Sequence, residues 1–140
     1  MGNKLHPEVS KKNDFWIEKH RYYELKHFCL QYPIWIKARD SIVGMTASPV
    51  KLSVLKKTIS DPVSKCAEAR EHYNRLIGTV DLALIRSTSD CPELEKYLRV
   101  GVTKGTGYDY LRVNMDIPCC RESYYKLYRK FFWILNDIRN

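Results

Sequence analysis

Apolar positions recur along most of this chain at spacings of three and four, the repeat of one face of an α-helix. Near the carboxyl end, Tyr108, Leu111 and Met115 fall at i, i+3 and i+7 and predict a short helix over residues 107–115. A longer helix is predicted from Arg121, with Tyr124, Leu127 or Tyr128, Phe131, Leu135 and Ile138 forming a seam that must face a core. Between the two, Asp116-Ile117-Pro118-Cys119-Cys120 supplies an apolar anchor at Ile117 and a proline that disfavours helix at the residue before it, so the chain has to turn. Steps of about 100° per residue carry Glu122, Lys126, Arg129 and Trp133 to the face opposite Tyr124.

The same reading applies upstream. A first long helix is expected to open at Asn13 or Asp14, either of which can cap free amides, and to continue through Tyr22, Leu25, Cys29, Tyr32 and Ile36, with Pro33 kinking or splitting it. Gly44, Ser48, Pro49 and Ser53 then interrupt the pattern and predict a loop over 43–59 with at most a short helix near 50–57. Ser60-Asp61-Pro62 offers a cap and a first-turn proline for a helix carrying Cys66, Ala69 or Arg70, Tyr73, Ile77, Val80 and Leu84. Gly78 inside that helix weakens it by about 1 kcal/mol relative to alanine or marks a close helix approach. Asp90-Cys91-Pro92-Glu93 starts another helix with Leu94, Tyr97, Leu98 and Val102, ended by Lys104-Gly105-Thr106-Gly107.

With no competing strand alternation and no internal repeat, the expected fold is all-α, a helical bundle closing in a helix-turn-helix over about 107–138. Three parts are expected: a flexible arm over 1–12, an aromatic-rich helical segment and loop over 13–59, and a helical domain over 60–140.

Composition narrows the partners. The 140 residues, 44% of them hydrophobic, suffice for one modest core or two small helical units. A net charge of +8 and a pI near 9.3 favour a polyanion, because lysine and arginine displace condensed counterions from phosphates. The five cysteines, at 29, 66, 91, 119 and 120, are odd in number and lack C-x-x-C spacing, which fits a reducing cytoplasm. No histidine lies at ligand spacing from the pair at 119 and 120, so neither metal nor cofactor is expected. No stretch approaches the roughly 20 apolar residues of a membrane span, and no secretory signal is expected. The four histidines are scattered and no phosphate-cradling glycine loop occurs, so no enzymatic activity is expected.

Charge and pattern together point to duplex DNA. In a helix-turn-helix the first turns of the second helix meet base edges, which places Arg121, Glu122, Tyr125, Lys126 and Arg129 at the groove. Arginine grips guanine bidentately and a carboxylate accepts from cytosine. Lys104, Arg112 and Lys130 lie where contacts to the phosphate backbone are expected. Each of these has an ordinary alternative as a solvated charge. Trp133 falls on the exposed face yet is too large to be left in water, so the aromatic amino-terminal helix, a second subunit or a protein partner is expected to cover it.

The run Leu98-Arg-Val-Gly-Val-Thr-Lys-Gly-Thr-Gly-Tyr-Asp-Tyr-Leu111, followed by Asp-Ile-Pro-Cys and by Tyr-Tyr-Lys-Leu-Tyr-Arg-Lys-Phe-Phe-Trp-Ile-Leu135, resembles small phage and prophage regulators of the RinA- and ArpU-like group. The likeness covers residues 60–138 best and implies a helix-turn-helix like that of sigma-factor region 4, regulation of phage gene transcription, and RNA polymerase as a partner. The aromatic stretch around Tyr23-Glu-Leu-Lys-His-Phe-Cys-Leu-Gln-Tyr-Pro is also similar to prophage proteins of Gram-positive hosts. One departure stands out: Pro118-Cys119-Cys120-Arg121 lengthens the turn by about two residues and puts a cysteine where a capping hydroxyl is usual.

Two other readings stay open. One is a phage-encoded inhibitor whose basic surface engages a host nuclease or defence complex. The other is a packaging or replication accessory that binds DNA without sequence preference. A palindromic operator would require a homodimer, whereas a sigma-like mode works as a monomer beside polymerase.

Overall fold

The computed structural model describes residues 14–46 and 62–140, and every regular element among them is helical. These elements are α1 (Lys19–Leu30), α2 (Tyr32–Thr46), α3 (Pro62–Ser87), a 3₁₀ turn (Pro92–Leu94), α4 (Glu95–Lys104), α5 (Tyr108–Met115) and α6 (Arg121–Arg139). The expected arm over 1–12, Asn13 as a cap, and the short helix near 50–57 lie outside the described residues.

The chain divides into two compact units, one built from the residues up to Gln31 together with Thr79–Asn140, the other from Tyr32–Gly78. In the second unit, α2 and α3 are linked by Arg39 Nη1, which donates to Asn74 Oδ1 at 3.3 Å. At Pro33 the expected helix is split rather than kinked, α1 ending at Leu30 and α2 beginning at Tyr32. Pro33 is the second residue of α2, where a missing amide hydrogen costs nothing because the first-turn amides have no partner within the helix.

In the first unit, α1 starts later than the Asn13–Asp14 caps suggest. Glu18 is the capping residue, its carboxylate accepting from the backbone amides of His20 at 3.0 Å and Arg21 at 3.2 Å. Those bonds hold the Glu18 carboxyl below the usual glutamate range, the His20 amide contributing most. Tyr22, Leu25, Phe28 and Cys29 make one buried face, and burial pushes the Cys29 thiol up. That face packs on α4 and α6.

Helix α3 contributes Val80, Ala83 and Leu84 to the core and stops where Thr88 turns its hydroxyl onto the Leu84 carbonyl at 2.7 Å. Gly78 marks no close helix approach, since a Cβ there would meet nothing within 4 Å. Arg99 of α4 donates to Asp81 Oδ1 of α3 at 2.7 Å and also bonds Glu95, tying the two helices together. Helix α4 ends at Gly105, whose φ of 72° is left-handed and suits a residue without a Cβ. The close approach is at Gly101, where a Cβ would overlap the Tyr124 hydroxyl of α6.

Candidate nucleic-acid interface

Helices α5 and α6 pack on each other and on α4, and α6 also packs directly on α1. Helix α5 begins at Gly107, which is extended and has no side chain to cap the free amides. The cap arrives from α6: Tyr125 Oη accepts from the Tyr108 backbone amide at 3.2 Å. Tyr108 in turn donates its hydroxyl to the Cys119 carbonyl in the turn at 2.6 Å. Two tyrosines, one from each helix, thus staple helix, turn and helix together.

The turn has a local cause at each step. Asp116 takes a left-handed conformation, φ 55° and ψ 50°, which short polar side chains tolerate better than most, and its amide donates to the Leu111 carbonyl. The Ile117 amide reaches the same carbonyl at 3.2 Å, and the Ile117 side chain is buried as the apolar anchor. Cys120 is the extended capping residue of α6 and makes no side-chain bond to the free amides there. Its exposed thiol lies 3.3 Å from the Ser123 hydroxyl, and that bond lowers its pKa from the usual thiol value.

Along α6, Tyr124, Leu127, Phe131, Phe132 and Leu135 are buried. The buried sector is wider than the predicted seam because Tyr22 of α1 sets its ring edge-on to Phe132, centroids 5.2 Å apart. Ile138, predicted in the seam, is only half-buried at the end of the helix.

Arg121, Glu122 and Lys126 are exposed in the first turns of α6. Arg129 is half-buried: its Nε is sealed off without a hydrogen-bond partner, and desolvation lowers its pKa from the usual arginine range. Tyr125 is half-buried, and its hydroxyl already serves the Tyr108 amide, so its first role is to cap α5. Taking Arg121 as origin, Tyr125, Arg129, Glu122 and Lys126 follow at about 40°, 80°, 100° and 140° around the helix. They form one arc, with Arg121 at the edge that faces α5.

Arg121 is itself held. Its Nη2 donates to Asp109 Oδ1 at 2.5 Å, and its Cζ lies 5.3 Å from the centre of the Tyr108 ring. Neither partner was among the sequence candidates, and the 12-residue separation of Asp109 and Arg121 offers no periodic signal that would have found the pair. Among the expected phosphate contacts, Lys104 and Arg112 are exposed at the ends of α4 and α5, where a cation also complements the helix dipole. Lys130 is instead paired with Asp90 Oδ2 at 3.7 Å. Trp133 is 44% exposed, with Phe15 from the segment before α1 edge-on to its ring at 5.6 Å.

No group of three or more His, Cys, Asp or Glu residues able to hold a metal occurs among the described residues, and none of their helices is long and apolar enough to cross a membrane. All five cysteines are free thiols. Comparison with family models, curated proteins and solved structures found no match to this chain.

Proposed function

We propose that this chain is a sequence-specific duplex-DNA-binding regulator of phage or prophage genes, in which α5, the turn over 116–120 and α6 act as a helix-turn-helix. The observation that carries this reading is the asymmetry of α6: one flank is sealed against α1, α4 and α5, while its first turns project Arg121, Glu122 and Lys126 into solvent. A helix so mounted can enter a major groove with its amino-terminal turns leading. The net charge of +8 supplies the sequence-independent attraction, and the exposed Lys104 and Arg112 stand at helix ends flanking the entry. The resemblance of residues 60–138 to RinA- and ArpU-like regulators points the same way.

Selection of bound duplexes from a random pool tests the reading. The expected result is a preferred sequence, bound with an affinity that falls steeply as salt rises. Equal affinity for selected and random duplexes would make the chain a non-specific accessory. No duplex binding, with a stoichiometric complex with a host protein in its place, would make it an inhibitor.

A further inference from the structure

Asp109 and Tyr108 of α5 do more than neutralise a neighbour. We infer that they pre-set the Arg121 guanidinium for bidentate recognition of a guanine in duplex DNA, making Asp109 a positioning residue that determines specificity. The inference rests on the helix-turn-helix reading above and assigns that interface one base and one orienting carboxylate.

A guanidinium has two edges that can each offer a parallel pair of N–H donors, the end edge formed by Nη1 and Nη2 and the side edge formed by Nε and Nη2. The two Nη2 hydrogens belong one to each edge. The single bond from Nη2 to Asp109 Oδ1, 2.5 Å long, therefore occupies one edge and leaves the other with both donors. No other hydrogen bond to Arg121 is made within the described residues, and its side chain is 51% exposed, so that second edge is accessible. The Tyr108 ring, 5.3 Å from Cζ, supports the group from a second direction. Tyr108 is itself immobilised, buried and bonded through its hydroxyl to the Cys119 carbonyl. A carboxylate at one edge and a ring beneath leave the arginine little of the rotamer freedom that a long side chain otherwise loses on binding. The free donor pair matches the O6 and N7 acceptors that guanine alone presents together in the major groove.

The same arrangement carries a cost that identifies it. Asp109 is 71% exposed at the start of α5, so its negative charge faces the phosphates that any duplex would bring near. A residue kept only to neutralise Arg121 would lower affinity for every sequence and improve discrimination for none.

The test compares Asp109→Ala, Asp109→Asn and Asp109→Glu with Arg121→Ala. Each full-length chain is titrated against the duplex selected by the unaltered chain and against single-pair variants of it, with thermal unfolding as a control for folding. One G·C position should lose preference in Arg121→Ala. At that same position Asp109→Ala should lose about tenfold in discrimination while its affinity for a scrambled duplex rises, and Asp109→Glu should restore part of the discrimination. Asp109→Asn keeps the shape without the charge and should fall between, which separates positioning from any loss of folding. If Asp109→Ala keeps full preference at the position that Arg121→Ala relaxes, the positioning role is overturned and the regulator reading stands. Absence of any preferred sequence in the unaltered chain overturns both.

Discussion

In the first turns of α6, Arg121, Glu122 and Lys126 stand in solvent, whereas further along it Tyr128, Asn136 and Arg139 are engaged by α1. Arg21 donates to Asn136 Oδ1 at 2.6 Å, Arg139 lies 3.8 Å over the Phe28 ring, and Tyr22 shares a 2.7 Å hydroxyl contact with Tyr128. Both ends carry arginines on one amphipathic pattern. The difference is what faces them: at the carboxyl end α1 supplies a guanidinium, a hydroxyl and a ring, and at the amino end the turn and the short α5 lie beside the exposed cations. At the carboxyl end Arg139 packs over a ring, and Arg21 spends its donors on Asn136, Glu24 and Asn140. A cation at the open end has its donors available to something outside the chain, and Arg121 shows how a single intramolecular bond leaves most of them so.

Disrupting the closed end should have the largest effect. Phe132 is fully buried between Tyr22, Tyr128 and Phe131, so Phe132→Ala is expected to lose about 3–5 kcal/mol of stability, read from denaturant unfolding. The open end is anchored from beneath by Tyr124, whose hydroxyl occupies the space above Gly101. Gly101→Ala should therefore cost about 1–3 kcal/mol by overpacking, with a shift in near-ultraviolet tyrosine circular dichroism as Tyr124 is displaced.

A smaller effect separates the two ends by function. Lys126→Ala should leave stability within about 0.5 kcal/mol and lower duplex affinity, reducing the salt slope by about one. Arg139→Ala should do the reverse, losing about 0.5–1 kcal/mol of packing on Phe28 with the salt slope unchanged. Equal effects of the two on the slope would erase the distinction drawn between the ends.

The smallest expected effect concerns how α1 and α6 begin. Glu18 caps α1 with a carboxylate whose folded pKa lies below the usual 4.5, so its contribution is present above that value and is lost as pH falls through the lowered one. Amide exchange at His20 and Arg21 should then accelerate in acid, and Glu18→Gln should remove that acid dependence. The start of α6, where the Cys120 side chain makes no capping bond to the free amides, should show no such carboxylate-dependent step.

Helix type and the turn near 116–120 were legible in the chain because apolar spacing, Pro118 and the Ile117 anchor are local signals. Gly105 ending α4 and Pro62 opening α3 were legible for the same reason. The late start of α1 was not. Glu18 caps without belonging to the usual capping types, and its selection over Asp14 depends on where the aromatic face of α1 meets α4 and α6.

Within the candidate interface, exposure of Glu122 and Lys126 follows from the helical wheel alone, since it needs only the direction of the buried seam. The roles of Tyr125, Arg129 and Lys130 do not. Tyr125 became a cap because α5 begins with a glycine that has no side chain to offer, and Arg129 lost solvent to packing that the helical wheel does not contain. Lys130 found Asp90, and Arg121 found Asp109 and Tyr108, across gaps in the chain that no periodicity encodes. Repeats along a polymer dictate which flank of a helix is oily. Which charges remain available on the other flank is decided by whichever neighbours the folded chain brings within hydrogen-bond reach.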